Sequence, residues 1–130
     1  MNRCSCLLLS AIALFAPGCD GSPTDPSDDP VAVVRVGDET FRIRLDTPAL
    51  QAAARAALMG GSASIPNGRI LPGTDVNEGW SWHLTEVAFA EITIELCDGS
   101  PSMVEEAVQA GEEFGGGRFC PWSARVAAIE

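Results

Sequence analysis

The chain contains no lysine, and its arginines form no basic cluster. Arginine supplies all the positive charge, and the formal net charge of the 130 residues is −10. Proteins that bind nucleic acid release counterions from phosphates through clustered Lys and Arg side chains, so we expect no nucleic-acid partner. An anionic lipid surface would repel such a chain, and we interpret the acidity as a solubility feature.

The chain also lacks an apolar run that is long enough to span a bilayer. The run at residues 7–15 is shorter than the ~20 residues that a span requires, and it follows a single positive charge at Arg3. This pattern predicts a secretory signal peptide over residues 1–18. Ala16-Pro17-Gly18-Cys19 resembles the bacterial lipobox, which predicts lipidation of Cys19. The alternative is an ordinary secretory signal that is cut nearby, with Cys19 uninvolved.

Residues 19–30 contain no large apolar side chain and are rich in proline and aspartate. Such a segment buries too little surface to offset the entropy of ordering, so we predict a disordered acidic tether. A single globular domain over residues 31–130 follows it. With two acyl chains on Cys19, membrane attachment is stable, and we expect a lipid-anchored protein of the bacterial cell envelope, or otherwise a secreted one.

Few cysteines remain for the mature domain. Cys4 and Cys6 leave with the signal peptide and Cys19 carries the lipid, so only Cys97 and Cys120 are left in an oxidising compartment. A disulfide between them is the simplest outcome, and a metal site or two free thiols are the alternatives. Without a neighbouring histidine or a C-x-x-C spacing the pair is a poor zinc site, and we expect no metal and no cofactor.

The hydrophobic pattern predicts an α+β fold. Thr47-Pro48 and Ser100-Pro101 each combine a capping side chain with a proline at the first helical position, so helices are predicted at residues 49–59 and from residue 101 to Gly111. Strands are predicted at residues 31–36, 40–45, 80–84, 87–97 and 118–129. Together they predict a mostly antiparallel sheet of about five strands with two helices on one side and one disulfide.

Two further signals concern the details of this sheet. Asn67-Gly68 is a strong turn signal, and Pro66 favours an edge position or an irregular loop. The strand at residues 87–97 is expected to be central, and the disulfide is expected to hold the closing strand, kinked at Pro121, beside it.

Several longer motifs have a familiar combination. They are FRIRL at 41–45, IPNGRI at 65–70, GWSWHL at 79–84, ELCDGSP at 95–101 and GRFCPWS at 117–123. This combination resembles the N-terminal-domain family of the seventy-four-kilodalton binding protein, a family of small bacterial exported domains. The resemblance covers about residues 31–129 and implies no established activity. Some members are labelled calmodulin-binding, but this chain has no exposed basic amphipathic helix of the kind that calmodulin binds.

The evidence for catalysis is limited to one histidine. His83 shares a strand face with Ser81, and Asp98 or Glu95 could complete a hydrolase-like set. However, residues two apart on a strand lie ~6–7 Å apart, which is too far for a hydrogen bond between nucleophile and base. The alternative for His83 is a hydrogen bond to a loop backbone group.

The loop that contains Asp75, Asn77 and Glu78 faintly resembles a calcium loop, although the central glycine and terminal glutamate of that motif are missing. The other interpretation is a capped, solvated loop.

Candidate ligand contacts are the residues Trp80, Trp82, His83 and Arg69. The tryptophans, with Trp122, could form an aromatic platform for a sugar or peptide, but core packing is the competing use for at least two of them.

We expect Arg69, Arg118 and Arg125 to form surface salt bridges, or else to bind an acidic ligand.

The sequence thus predicts an exported or lipid-anchored, non-enzymatic interaction domain with an unknown protein or glycan partner in the envelope. The membrane is contacted only through the lipid. The alternative is a small hydrolase-like or metal-dependent activity centred on His83.

Overall fold

The computed structural model describes residues 28–130, so the predicted signal peptide, Cys19 and most of the tether lie outside the described residues. The strands are β1 (Val31–Val36), β2 (Glu39–Arg44), β3 (Ile65–Pro72), β4 (Trp82–Ala90), β5 (Arg118–Phe119) and β6 (Arg125–Ile129). The helices are α1 (Pro48–Leu58) and α2 (Pro101–Ala110), with a short 3-10 turn at Glu95–Cys97. Within the described part, no helix is long and apolar enough to cross a membrane.

The strands form two antiparallel sheets of three strands each. The first has the order β2-β1-β6 and the second the order β4-β3-β5. The α+β class, the antiparallel pairing, the two helices and the disulfide are confirmed. The prediction of one sheet was wrong in its detail, because the strands at the two ends of the domain join one sheet and the middle strands join another.

Both helices begin with the device that the sequence predicted. Thr47 Oγ1 accepts a hydrogen bond from the Leu50 amide at 3.1 Å, and Ser100 Oγ accepts one from the Met103 amide at 3.4 Å. α2 ends at Gly111, which adopts the left-handed conformation that suits glycine, at φ 69°. α1 packs on β6 and β4, and α2 packs on β2 and β4, so each helix contacts both sheets.

An aromatic cluster fills the space between the sheets. Phe41 of β2 lies 5.7 Å from Trp82 of β4 and 5.4 Å from Phe119 of β5, measured between ring centroids. Trp82 and Phe119 meet edge to face at 5.6 Å. All three side chains are buried, and tilted or edge-to-face contacts of this kind add to the free energy of burial. The cluster therefore joins the two sheets through apolar contact.

Asn77 joins the same sheets through hydrogen bonds. Its side chain is 0% exposed. The Oδ1 atom accepts from the Arg42 amide of β2 at 2.8 Å, and Nδ2 donates to the Trp82 carbonyl of β4 at 2.9 Å. β2 and β4 are the edge strands of their sheets, so one carboxamide satisfies a backbone group on each of two free edges. Trp80 adds a third contact, because its Nε1 donates to the Thr40 carbonyl of β2 at 2.9 Å.

The turn predicted at Asn67-Gly68 is wrong. Both residues lie within β3, and Gly68 is opposite a bulge in β4 that contains Glu86 at φ 51°. A Cβ atom at Gly68 would lie 2.8 Å from Val87 Cγ2 and 3.0 Å from Leu84 Cβ. Glycine is therefore needed here for close approach between strands.

Pro66 also lies in a strand, pairing with Phe89 of β4, and it is fully buried. It is tolerated because β5 pairs only with Gly68 and Arg69, so the side of β3 next to Pro66 needs no amide donor.

The long central strand predicted at residues 87–97 is wrong as well. β4 ends at Ala90, whose partner is Ile65, the first residue of β3. No strand remains to pair with the next residues, so they leave the sheet and end in the 3-10 turn at Glu95–Cys97.

The closing strand is divided in two. β5 belongs to the second sheet and β6 to the first, and a turn in which the Ala124 amide donates to the Pro121 carbonyl at 3.1 Å carries the chain between them. The disulfide joins Cys97 to Cys120, with their Cα atoms 5.1 Å apart. It therefore fixes the 3-10 turn to this crossing rather than one long strand to another.

We predict that Asn77→Ala lowers the free energy of unfolding by about 2–5 kcal/mol, because it leaves an amide of β2 and a carbonyl of β4 without partners. Chemical denaturation under oxidising conditions measures this change. Asn67→Ala serves as the control, since Asn67 is half-buried and receives its bond from the Arg118 side chain at 2.7 Å. Equal losses for the two variants would contradict the bridging role of Asn77.

Candidate functional site

The most unusual surface of the domain is the segment at residues 91–97, which we name the apolar loop. Ile92, Ile94 and Leu96 have exposed fractions of 86%, 66% and 67%. Single exposed aliphatic residues are common, but several within one short segment mark a contact surface. These are the same alternating residues that suggested a strand, and they face solvent because the segment has left the sheet.

Both ends of the apolar loop are held in place. Ser62 Oγ donates to the Glu91 carboxylate at its start, and the disulfide anchors its end. Beside the disulfide, the Cys120 amide donates to the Cys97 carbonyl at 2.8 Å. An exposed loop that is fixed at both ends loses less conformational entropy when a partner binds.

Trp122 extends this surface. Its side chain is 47% exposed, and it lines an open cavity of about 350 Å³ together with Ile65, Glu91, Ile92 and Thr93.

The backbone next to Trp122 is fixed by Asp98, whose Oδ1 accepts from the Trp122 amide at 2.8 Å and from the Gly99 amide at 2.9 Å. Asp98 therefore serves the disulfide region, not a site at His83.

Trp80 and Trp82 do not form the exposed platform that the sequence suggested. Trp82 is 0% exposed and belongs to the aromatic cluster, so its assignment as a ligand contact was wrong. Trp80 is half-buried, packs against Trp82 at 6.0 Å between centroids, and uses its indole N–H on β2. The pairing of β4 with β3 and the nearby Asn77 bridge draw both rings inward.

His83 makes the backbone contact that was the alternative to catalysis. Its Nδ1 lies 2.7 Å from the Gly73 carbonyl, which can only accept, so Nδ1 carries the proton. Ser81 Oγ donates instead to the Glu105 carboxylate at 2.9 Å. The carboxylate of Glu105 also accepts from Gln109 Nε2 at 2.8 Å. The hydroxyl, the imidazole and the acid that the sequence offered thus each have a different partner.

The loop at residues 74–80 uses its polar groups internally. Asn77 points into the core, and Asp75 receives two hydrogen bonds from Arg44, at 2.7 Å and 3.2 Å. Glu78 is exposed and lies 3.8 Å from Arg42. These three oxygen-bearing side chains therefore do not converge as a calcium loop requires. Among residues 28–130, no group of three or more His, Cys, Asp or Glu side chains could hold a metal ion.

The pKa of Asp75 is lowered, chiefly because Arg44 donates hydrogen bonds to the carboxylate; partial burial opposes this effect. The same contact raises the pKa of Arg44. The pair links the loop at residues 74–80 to the end of β2.

The salt bridges predicted for Arg69, Arg118 and Arg125 are not formed. Among the described residues no carboxylate lies within 4.0 Å of any of the three, and only Arg42 and Arg44 take part in ion pairs. Arg118 binds the Asn67 side chain instead. Arg69 is exposed on β3 beside an open cavity of about 330 Å³ that Phe114 and Glu112 also line.

The comparison with protein families identifies the class to which this arrangement belongs. The family model for the N-terminal domain of the seventy-four-kilodalton binding protein matches residues 29–130, which include both sheets, both helices and the disulfide. The chain is therefore a member of this N-terminal-domain family, as its motifs suggested. Searches of curated proteins and of solved structures returned no match.

The Asp75–Arg44 pair predicts a pH-dependent contribution to stability. Because the pKa of Asp75 is lower in the folded state, its contribution is present above the unfolded-state pKa of about 3.9 and is lost as the pH falls through the folded-state value. We expect Asp75→Asn to cost about 1 kcal/mol at pH 7 and progressively less below about pH 4.

Denaturation of both proteins between neutral and acidic pH measures this difference. Asp38→Asn is the matched control, because Asp38 lies exposed in the turn between β1 and β2 without an ion-pair partner among the described residues. A constant difference between wild type and Asp75→Asn across the pH range would contradict the assignment.

Proposed function

We propose that this protein is an exported, lipid-anchored and non-enzymatic interaction domain of the bacterial cell envelope, and that the apolar loop is its binding surface. The observation that carries the proposal is the outward orientation of Ile92, Ile94 and Leu96 on a segment anchored by a disulfide. Burial of each of these side chains by a partner is worth about 1.5–3 kcal/mol. The loop thus offers a source of binding free energy that the isolated domain leaves unused.

A protein partner fits this surface better than a glycan. Sugars are bound by stacking on aromatic rings with polar groups around them, whereas the apolar loop presents aliphatic side chains and one half-exposed ring, Trp122. Aliphatic contact surfaces match the apolar centre of a protein interface. We therefore assign the partner to the proteins of the envelope.

The geometry around His83 supports the non-enzymatic assignment over a hydrolase-like one. Nδ1 of His83 is used on the Gly73 carbonyl, and Ser81 is bound to Glu105 on α2. A nucleophile needs a base within hydrogen-bond reach, and this serine has a structural partner instead.

The tether and lipid explain how such a domain would be presented to a partner. Lipidation of Cys19 would hold the domain at the membrane, and the acidic segment that follows would separate it from the surface. Anchoring raises the effective concentration for partners in the same membrane.

For the anchor, we predict that Cys19→Ser moves the protein from the membrane fraction to the soluble fraction and removes the mass of the lipid. Membrane fractionation and intact-mass measurement of the expressed full chain test this. Unchanged membrane association of the variant would reject lipidation at Cys19.

For the binding surface, we predict that combined Ile92→Ser, Ile94→Ser and Leu96→Ser substitution abolishes recovery of the proteins that the wild-type domain retains from its native envelope, while the denaturation midpoint changes little. The fold should persist because these side chains contribute almost nothing to the core. Quantitative pull-down with both proteins measures the loss.

Met59→Ser is the matched control, because Met59 is as exposed as Ile92 but lies at the end of α1. If the control loses the same proteins as the loop variant, or if the loop variant retains them, the apolar loop is not the binding surface.

A further inference from the structure

β6 has a free edge. It pairs with β1 on one side, and no strand of the described residues pairs with its other side. An edge strand presents a row of backbone N–H and C=O groups that another extended chain can bind. Beside this edge lies an open groove of about 620 Å³, which we name the β6 groove. Its floor is formed by residues 123–126, and its walls by Trp122 and the end of α1 at Ala57, Leu58 and Gly60.

Two arginines at this edge are placed against each other. Arg35 of β1 and Arg125 of β6 are direct cross-strand partners, so their side chains emerge side by side on the exposed face. Like charges in this position are unfavourable. The chain carries a net charge of −10, yet no carboxylate of the described residues lies within 4.0 Å of either guanidinium. A carboxylate supplied from outside would remove this repulsion.

The opposite side of the groove is apolar. Trp122 is 47% exposed and Leu58 is 40% exposed, and both line the groove. Successive side chains of an extended strand point to opposite faces. A strand lying along β6 would therefore direct one set of side chains toward Arg35 and Arg125 and the other set toward Leu58 and Trp122.

We propose that the β6 groove binds an extended segment of a protein partner by strand addition, and that the segment alternates acidic and apolar residues. Backbone hydrogen bonds to β6 provide the affinity that such complexes share, and the arginine pair selects the acidic residues. This inference rests on the proposed interaction function, but it uses a surface whose selective residues, Arg35 and Arg125, are outside the apolar loop.

A second copy of this chain is a poorer occupant. The strand Arg125–Ile129 contains no acidic residue, and the carboxylate that follows it, on Glu130, lies 3.6 Å from Arg42 of the same chain. Pairing of two β6 edges would therefore add a second arginine without a free carboxylate.

The probe for this proposal is a capped octapeptide that alternates valine and glutamate, compared with one that alternates valine and glutamine. We expect the wild-type domain to bind the glutamate peptide about tenfold more tightly, and Arg125→Gln to reduce this binding about tenfold. Fluorescence anisotropy measures both affinities. Amide chemical shifts should change at residues 123–126.

Arg69→Gln is the matched control, since Arg69 is also an exposed strand arginine without an ion pair among the described residues. It should leave peptide binding unchanged, and so should the triple serine variant of the apolar loop, which separates this test from that of the proposed function. Equal binding of the two peptides, an equal loss in Arg69→Gln, or shifts confined to other residues would overturn the proposal. So would a dimer in sedimentation that forms through β6 and excludes the peptide.

Discussion

The architecture depends on one buried carboxamide. Asn77 belongs to a loop, yet it satisfies an amide on the edge of one sheet and a carbonyl on the edge of the other. Without it, two buried edges would lack partners at the point where the sheets approach, and each unpaired group costs about 1–3 kcal/mol. The aromatic cluster of Phe41, Trp82 and Phe119 then fills the space that this bridge defines. Polar and apolar contacts thus place the two small sheets as one unit.

This arrangement also determines what remains at the surface. The middle strands are used in the second sheet only as far as Ala90, because β3 begins at Ile65 and offers no further partner. The apolar residues that follow must therefore find another environment. The disulfide holds their far end at the crossing between β5 and β6, so the segment is exposed and fixed at the same time. The proposed binding surface is in this sense a consequence of where β4 loses its partner.

Local signals predicted the elements that depend on local chemistry. The caps at Thr47 and Ser100, each followed by proline, gave both helix starts, and the alternation around Phe41 gave β2. Subtraction of the signal and lipid cysteines gave the disulfide.

Features that depend on distant neighbours could not be obtained in this way. Gly68 has the pattern of a turn residue, but it is glycine because Val87 and Leu84 of another strand approach it. Ile92 and Ile94 alternate as in a strand, and only the position of Ile65 shows that no partner is available. Asn77 has the composition of an ordinary loop residue, and its bridging role appears only when both sheets are placed.

The central claim is that the apolar residues of the loop face solvent in the folded protein. Methyl relaxation of the oxidised domain in the presence of a soluble paramagnetic agent tests it most directly. We expect strong relaxation of the Ile92 and Ile94 methyl groups and almost none of the Ile43 methyl group, which is 1% exposed. Protection of Ile92 and Ile94 to the level of Ile43 would contradict it.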